Sequence, residues 1–293
     1  MPELPEVETI RRQLAPTIEG AVLESLEILD PRWCSPAHPG QVADAVRGRR
    51  IEALRRRGKY LVMALRDEVS LVMHLRMTGT LLLVSAADDH PGRAHLRVRV
   101  SLSGSGRVLF CDPRRFGTGV VLLSDAALED YFAARLGVEP LSAAFTAEAL
   151  RELAAGRRAP VKAFLLAQER IAGVGNIYAD EALFRARIHP LRPVGTLKRP
   201  QLSALRDAVV ESLEAGIDAR GATIDDFRHA DGARGSFQDR FLVHRREAEP
   251  CPRCATPIRK LRAAGRGTYV CPKCQPRPRT RPGKVDVDPA GTG

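Results

Sequence analysis

The chain has 293 residues with 44% hydrophobic content, a size and composition normal for a folded soluble protein of two ordinary domains. Lys and Arg outnumber Asp and Glu by 46 to 35, giving a formal charge of +11 and a pI near 9.9, which favours a polyanionic partner without by itself requiring one. No basic stretch followed by an apolar run opens the chain and no run of about 18 apolar residues occurs, so neither export nor membrane spanning is expected and a cytoplasmic location is.

Val7, Ile10 and Leu14 recur at i, i+3 and i+7, with Pro5, Glu6 and Glu8 ahead of Arg11 and Arg12, which predicts a first helix with acid at its start and base at its end. From Val22 to about Val121 the period changes to that of strands. Leu96, Val98, Val100 and Leu102 alternate with polar residues and turn through Ser103–Gly106 into Val108–Phe110. Tyr60–Leu65 and Ser70–Leu75 form a second hairpin around Arg66, Asp67 and Glu68. Cys34 and Cys111, in this half, read as small apolar core residues. The pattern is helical again from Thr146 to Ala155, Val161 to Arg170, Ile177 to Ala186 and Pro200 to Ala215, with Gly216 expected to stop the last of these. Strands followed by helices imply an α+β chain: an N-terminal β-sandwich with a leading helix, then a helical domain. The segment 276–293 carries Arg277, Arg279, Arg281 and Lys284 among prolines and reads as a disordered basic tail.

Cys251-Pro-Arg-Cys254 and Cys271-Pro-Lys-Cys274 are two C-x2-C pairs separated by 16 residues, a spacing that lets two knuckles converge on one tetrahedral ion. Zinc suits four thiolates. With every position filled by sulfur there is no open site for water, so the ion would be structural and would organise a hairpin of Ile258–Leu261 and Thr268–Val270. A redox dithiol is the alternative, although one pair would suffice for it.

Several strings bear on chemistry. Read alone, Met1-Pro2 implies only removal of the initiator methionine, Glu3 a solvated acid and Lys59 one more cation beside Arg55–Arg57. Met77 and Phe116 would be core residues, Arg114 a surface ion pair, and Gly173-Val174-Gly175-Asn176 a helix cap. A free N-terminal proline is nevertheless a secondary amine of α-amino pKa roughly 7.7–8.0, partly unprotonated near neutrality and able to attack carbon.

In order along the chain, Met1–Thr9, Arg56–Tyr60, His74–Gly79, Asp112–Gly117, Gly173–Tyr178 and the closing cysteine segment resemble the motifs of the formamidopyrimidine-DNA glycosylases of the Fpg/Nei family, over residues 1 to about 275. The resemblance implies four regions: a catalytic β-sandwich domain over 1–136, a helix-two-turn-helix DNA-binding domain with a lesion-capping loop over 137–245, a zinc hairpin over 246–275 and the tail over 276–293. It also implies a monomeric, nucleoid-associated enzyme that removes oxidised purines from damaged duplex DNA and then cleaves the strand, with Zn2+ on Cys251, Cys254, Cys271 and Cys274. Pro2 would be the nucleophile and Glu3 the acid assisting sugar-ring opening. Lys59 would be an acid/base or phosphate-binding group, and Arg266 a phosphate grip and proton donor. Met77, Arg114 and Phe116 would fill the place of the extruded nucleotide. His95, Arg158, Lys162 and Asn176 would contact the DNA, Asn176 serving also as helix cap. Ser236, where relatives carry an aromatic, and Ala167, where they carry aspartate, depart from the pattern. The first leaves lesion preference open. Two rival readings remain: a relative preferring oxidised pyrimidines, against which the Pro-Glu-Leu-Pro opening speaks, and a non-catalytic DNA-binding zinc protein, against which Pro2, Glu3 and Lys59 together speak.

Overall fold

A computed structural model describes residues 1–85, 95–104, 106–223, 230 and 232–278. Helix α1 (Leu4–Ile18) leads into a β-rich lobe of β1 (Val22–Ile28), β2 (Arg49–Arg57), β3 (Tyr60–Leu65), β4 (Ser70–His74), β5 (Thr80–Ser85), β6 (Leu96–Leu102), β7 (Gly106–Cys111) and β8 (Thr118–Leu122). The strands form one antiparallel ladder in the order β5-β7-β6-β1-β2-β3-β4-β8. Its weak point is the β1–β2 junction, paired only at Val22–Arg50 and Leu23–Arg49. There the ladder divides into two four-stranded faces that share one core.

Both expected hairpins are present, and Asp67 and Glu68 take positive φ in the turn of the second. The alternation of β6 is visible as burial of Leu96, Val98, Val100 and Leu102. Trp33, from the turn Pro31–Cys34, fills the space between the faces: its ring meets Phe110 of β7 edge-on at 5.8 Å, and Gly119 of β8 leaves room for its other side. Cys34 and Cys111 are buried. Helix α2 (Pro39–Val46), opened by Pro39, departs from the expectation of strands up to about Val121; beyond that range lies α3 (Asp125–Ala133), opened by Ser124, whose hydroxyl accepts from the Ala127 amide.

The helical lobe comprises α4 (Ala147–Ala154), α5 (Val161–Leu166), α6 (Asn176–Arg185) and α7 (Arg199–Asp218), followed by the hairpin β9 (Arg259–Ala263) and β10 (Arg266–Val270). Helix α5 ends at Leu166, short of the expected Arg170, because Gln168 turns the chain: its amide donates to the carbonyls of Leu166 and Val174, and its Oε1 accepts from Gly173. Helix α7 runs through Gly216, which the sequence reading took as its stop. The missing side chain has another use, since a Cβ at Gly216 would lie 2.4 Å from the Tyr178 ring. The greater part of the expected basic tail, from residue 279 onward, lies outside the described residues.

Gly216→Ala therefore has a sign that separates two explanations. Helix propensity alone would make alanine stabilising by about 1 kcal/mol. Crowding of Tyr178 is expected to make it destabilising by about 1–3 kcal/mol, read as a lower urea midpoint at unchanged slope.

Candidate active site at the junction of the lobes

Helix α1 belongs to both lobes. Val7, Ile10, Leu14 and Ile18 lie in the β-lobe core, whereas Leu4, fully buried, packs in the helical core with Val174 and Tyr178. The contact is tight enough to dictate glycine at two positions. A Cβ at Gly173, where φ is +83°, would fall 2.6 Å from the Leu4 side chain, and one at Gly175 would fall 2.2 Å from the Glu3 carboxyl carbon. The Leu4 amide donates to the Gly173 carbonyl at 3.1 Å. These two glycines thus admit the N-terminal segment.

Glu3 is buried at the start of α6, its carboxylate accepting from the amides of Ile177 at 3.0 Å and Tyr178 at 3.5 Å. Negative charge at a helix N-terminus is favourable, which is how an acid can be kept away from water here. Glu6, one turn on, accepts from the Glu3 amide, the Tyr178 hydroxyl and the Ala222 amide at 2.8, 2.7 and 2.7 Å. Burial, and then the charge of Glu3, raise its pKa above the ordinary carboxylate value. The sequence reading gave Glu6 no role beyond the helix dipole. The Glu3-x-x-Glu6 spacing, that of a capping box, was the available signal.

Lys59 enters from the β2–β3 turn. Gly58, at φ +57°, sets its direction and rests against Leu136 and Ala172, and the Gly58 amide donates to Glu139, which also pairs with Arg56 at 3.0 Å. Only 5% of Lys59 is exposed. Burial lowers its pKa; Arg266 works in the same direction and Glu3 opposes it. Pro2 is buried at the same junction, beneath an exposed Met1. Pro2, Glu3, Lys59 and Arg266 therefore sit where the lobes meet.

The gap-filling residues form a second constellation. Phe116 is 51% exposed, so it is not the core residue its composition alone implied. The Arg114 guanidinium stands 4.9 Å over its ring. Asp112, buried and unremarked in the sequence reading, organises this loop: Oδ2 accepts from the Phe116 and Gly117 amides at 2.8 Å each, and Oδ1 from Arg114 and from the Thr78 hydroxyl. Through Thr78 the same carboxylate fixes the turn bearing the half-buried Met77. His95 is exposed and its carbonyl accepts from the Asp112 amide. Arg158 is exposed just ahead of α5.

Two expectations are corrected. Lys162 does not face a DNA strand: its side chain is fully buried, with Nζ 2.7 Å from both Asp180 Oδ1 and Thr268 Oγ1. It ties the helical lobe to the cysteine hairpin. Asn176 is not the cap of α6, a position held by Gly175, but its first residue, and its Nδ2 donates to the Gly267 carbonyl at 3.2 Å. Ser236 is exposed, with its amide on the Ala219 carbonyl, and next to it Phe237 stacks on Tyr178 at 5.1 Å. Of the expected lesion-capping loop, residues 224–229 and 231 lie outside the described residues.

The four hairpin cysteines have all their sulfur atoms within 4.8 Å of one another. Individual separations are 3.9 Å for Cys251–Cys274, 3.5 Å for Cys254–Cys271 and 3.6 Å for Cys254–Cys274. A tetrahedron of thiolates about 2.3 Å from a zinc ion has edges of about 3.8 Å, so the donor set fits zinc.

Family models match in chain order: the formamidopyrimidine-DNA glycosylase N-terminal domain over residues 1–119, its H2TH domain over 136–228, and the zinc finger found in FPG and IleRS over 248–277. Together with the fold and the cysteine cluster they define a DNA-binding repair glycosylase with a zinc finger. The formamidopyrimidine-DNA glycosylase of Chloroflexus aurantiacus is 44% identical over 276 residues, covering 94% of this chain and 98% of that one. That of Symbiobacterium thermophilum is 41% identical over 306 residues, covering 100% and 99%. Among solved structures, a Lactococcus lactis FPG mutant in complex with Fapy-dG-containing DNA aligns at TM-score 0.88 with 33% identity, over 94% of this chain and all of that one. MutM (Fpg) from Thermus thermophilus aligns at 0.84 with 41% identity, over 95% and 100%. The chain belongs to the formamidopyrimidine-DNA glycosylase family.

One further group at the site titrates far from its ordinary value. Burial, with Arg76 and Lys59 nearby, pushes His74 down to about 3, so it is neutral in the fold and its Nδ1 accepts from the Arg76 amide at 2.9 Å. Its folded value lies below the unfolded one of about 6.5, so its support for the fold is complete above that pH and is withdrawn as pH falls toward 3. Unfolding free energy, measured in urea between pH 6.5 and 4.5, is expected to fall less steeply for His74→Phe, by up to about 1.4 kcal/mol per pH unit. Parallel profiles for the two proteins would exclude a neutral, buried His74.

Proposed function

We propose that this protein excises oxidised purines from duplex DNA and cleaves the resulting abasic strand, with the amine of Pro2 as nucleophile. The observation that carries the reading is the seating of Pro2–Glu3 against α6 with the desolvated Lys59 beside it. Solved relatives support the substrate class, since Lactococcus complexes hold DNA with a Fapy-dG or an abasic site.

Removal of Met1 leaves Pro2 with a free secondary amine. Its nitrogen attacks C1′, the bond from C1′ to the base breaks, and the departing base takes the proton that the amine sheds. Glu3, having taken up a proton from solvent, passes it to O4′ as the C1′–O4′ bond opens, leaving an iminium between Pro2 and C1′. That cation acidifies the C2′ proton. Loss of the proton to a base expels the 3′ phosphate, and a second elimination expels the 5′ phosphate. Lys59, whose burial and cationic neighbour hold its pKa down, has a larger neutral fraction than a solvated lysine and serves proton transfer in these steps. Arg266 holds a flanking phosphate from the hairpin.

Phe116, Met77 and Arg114 occupy the place of the extruded nucleotide, and Arg114 meets the orphaned base. Unstacking costs a few kcal/mol, and an exposed aromatic wedge offsets part of it. One structural zinc on Cys251, Cys254, Cys271 and Cys274 keeps the hairpin, and with it Arg266, in register. That ion takes no part in bond making, since its four ligands leave no open position.

Borohydride added during turnover on an 8-oxoguanine duplex is expected to trap a covalent adduct that peptide mapping places on residue 2; Pro2→Gly, which keeps a primary amine, should weaken it and a blocked amine should abolish it. An undiminished adduct on lysine in those proteins would rule out the nucleophile. Chelation is expected to release one zinc per chain and to cost DNA affinity, while near-UV circular dichroism shows Trp33 and the β lobe still packed. Full DNA affinity of metal-free Cys251→Ala would contradict the hairpin's role.

A further inference from the structure

Helix α6 and the cysteine hairpin lie side by side, tied at both ends. At one end Asn176 donates to the Gly267 carbonyl, next to Arg266. At the other, Gln275 donates to the Ile188 carbonyl at 2.9 Å and Arg253 to the Phe184 carbonyl at 2.8 Å. The ten residues of α6 place these ends roughly 15 Å apart. Beyond the second end opens a cleft of about 920 Å3, lined by Arg187, His189, Arg192 and Arg277 together with Thr196 and Gln201. Among the described residues, no carboxylate lines it.

The cleft is built for an anion. The Arg192 guanidinium is held in place by its own turn, donating to the Thr196 hydroxyl and carbonyl at 3.3 and 3.2 Å. Arg187 and Arg277 are exposed, and neither has an ion-pair partner among the described residues. Uncompensated arginines around a concavity concentrate phosphate groups, because the fork of N–H donors matches phosphate oxygens. In sequence Arg277 is followed by Arg279, Arg281 and Lys284, with no acid before Asp286. Three arginines around one cleft suit several phosphates better than a single one.

We propose that this cleft is a second phosphate-backbone site, which holds nucleic acid outside the lesion cleft at the opposite end of α6. Removing two of its contacts should flatten the dependence of binding on salt by about two phosphates' worth while leaving the chemistry of the first site alone.

The test is Arg187→Gln/Arg277→Gln in the full chain. With an undamaged duplex of about 30 base pairs, the slope of log K against log salt is expected to become shallower by about 2, with affinity about tenfold lower at 0.1 M salt. Single-turnover cleavage of a short lesion duplex should not change. Arg187→Lys/Arg277→Lys is expected to keep most of the slope, which separates charge from folding. Filling the lesion cleft with a duplex carrying a non-cleavable abasic analogue identifies the source of the phosphates. Binding of a second labelled duplex shows a separate molecule, whereas an effect confined to long duplexes shows the flank of the same one; both support the proposal. A slope unchanged by the glutamine variant at every duplex length would overturn it. The slope is independent of catalysis, so failure of the cleavage assay in every protein would instead count against the glycosylase reading.

Discussion

The seating of Glu3 and Leu4 on the loop before α6 is the contact on which the rest of the molecule depends. It fixes the N-terminal segment at the junction of the lobes and links their two cores. Leu4 is buried in one core and Val7 in the other, so α1 acts as a pin through both. The acid of Glu3 is stabilised by amides of α6, which makes the helix N-terminus a receptor for this chain's own carboxylate. A side chain as small as a methyl at residue 173 or 175 would occupy the space that Leu4 or Glu3 needs.

Behind that contact, buried acids act as docking posts. Asp180 receives Lys162 on one oxygen and the His244 ring on the other. Its neighbour Glu181 accepts the amides of Leu242, Val243 and His244, and pairs with Arg185 at 3.1 Å. Both acids are essentially unexposed. Breaking a buried pair by removing one partner costs about 3–5 kcal/mol, so these interactions specify how the hairpin sits more than they add net stability. Arg266 is carried on that hairpin two residues from Thr268, which Lys162 grips. The position of an exposed arginine is in this way set by a lysine that never meets solvent.

Most of the architecture was legible as period: 3.6 for the helices, 2 for β6, and paired C-x2-C for the hairpin. What the sequence hid were roles fixed by partners far along the chain. Glu6 depends on Tyr178 and Ala222, Lys162 on Asp180 and Thr268, and Gly216 on an aromatic ring rather than on its own helix. No local pattern records such a partner. Lys162 is accordingly expected against DNA from the sequence, whereas the fold spends it on the hairpin. The local signals that did exist, the Glu3-x-x-Glu6 spacing and the Asp112-Pro turn, mark two organising carboxylates of the site.

The two departures from the family pattern fall where the fold can absorb them. At Ala167 the turn after α5 is made by backbone, its carbonyl accepting from the amides of Arg170 and Ile171, while the side-chain ties to Val174 and Gly173 come from Gln168. Ser236 is exposed, and the aromatic anchor of that segment is Phe237, stacked on Tyr178. Asp112 draws its partners for the loop of Arg114 and Phe116 from the β lobe, and the Glu3 carboxylate accepts from amides of the helical lobe, so the two rest on separate hydrogen-bond networks. Strands β3 and β4 link them, since His74 stands between Tyr60, which follows Lys59, and the turn that carries Met77. Under the proposed function, a change in the Asp112 loop would then alter base displacement without disturbing the seat of Glu3.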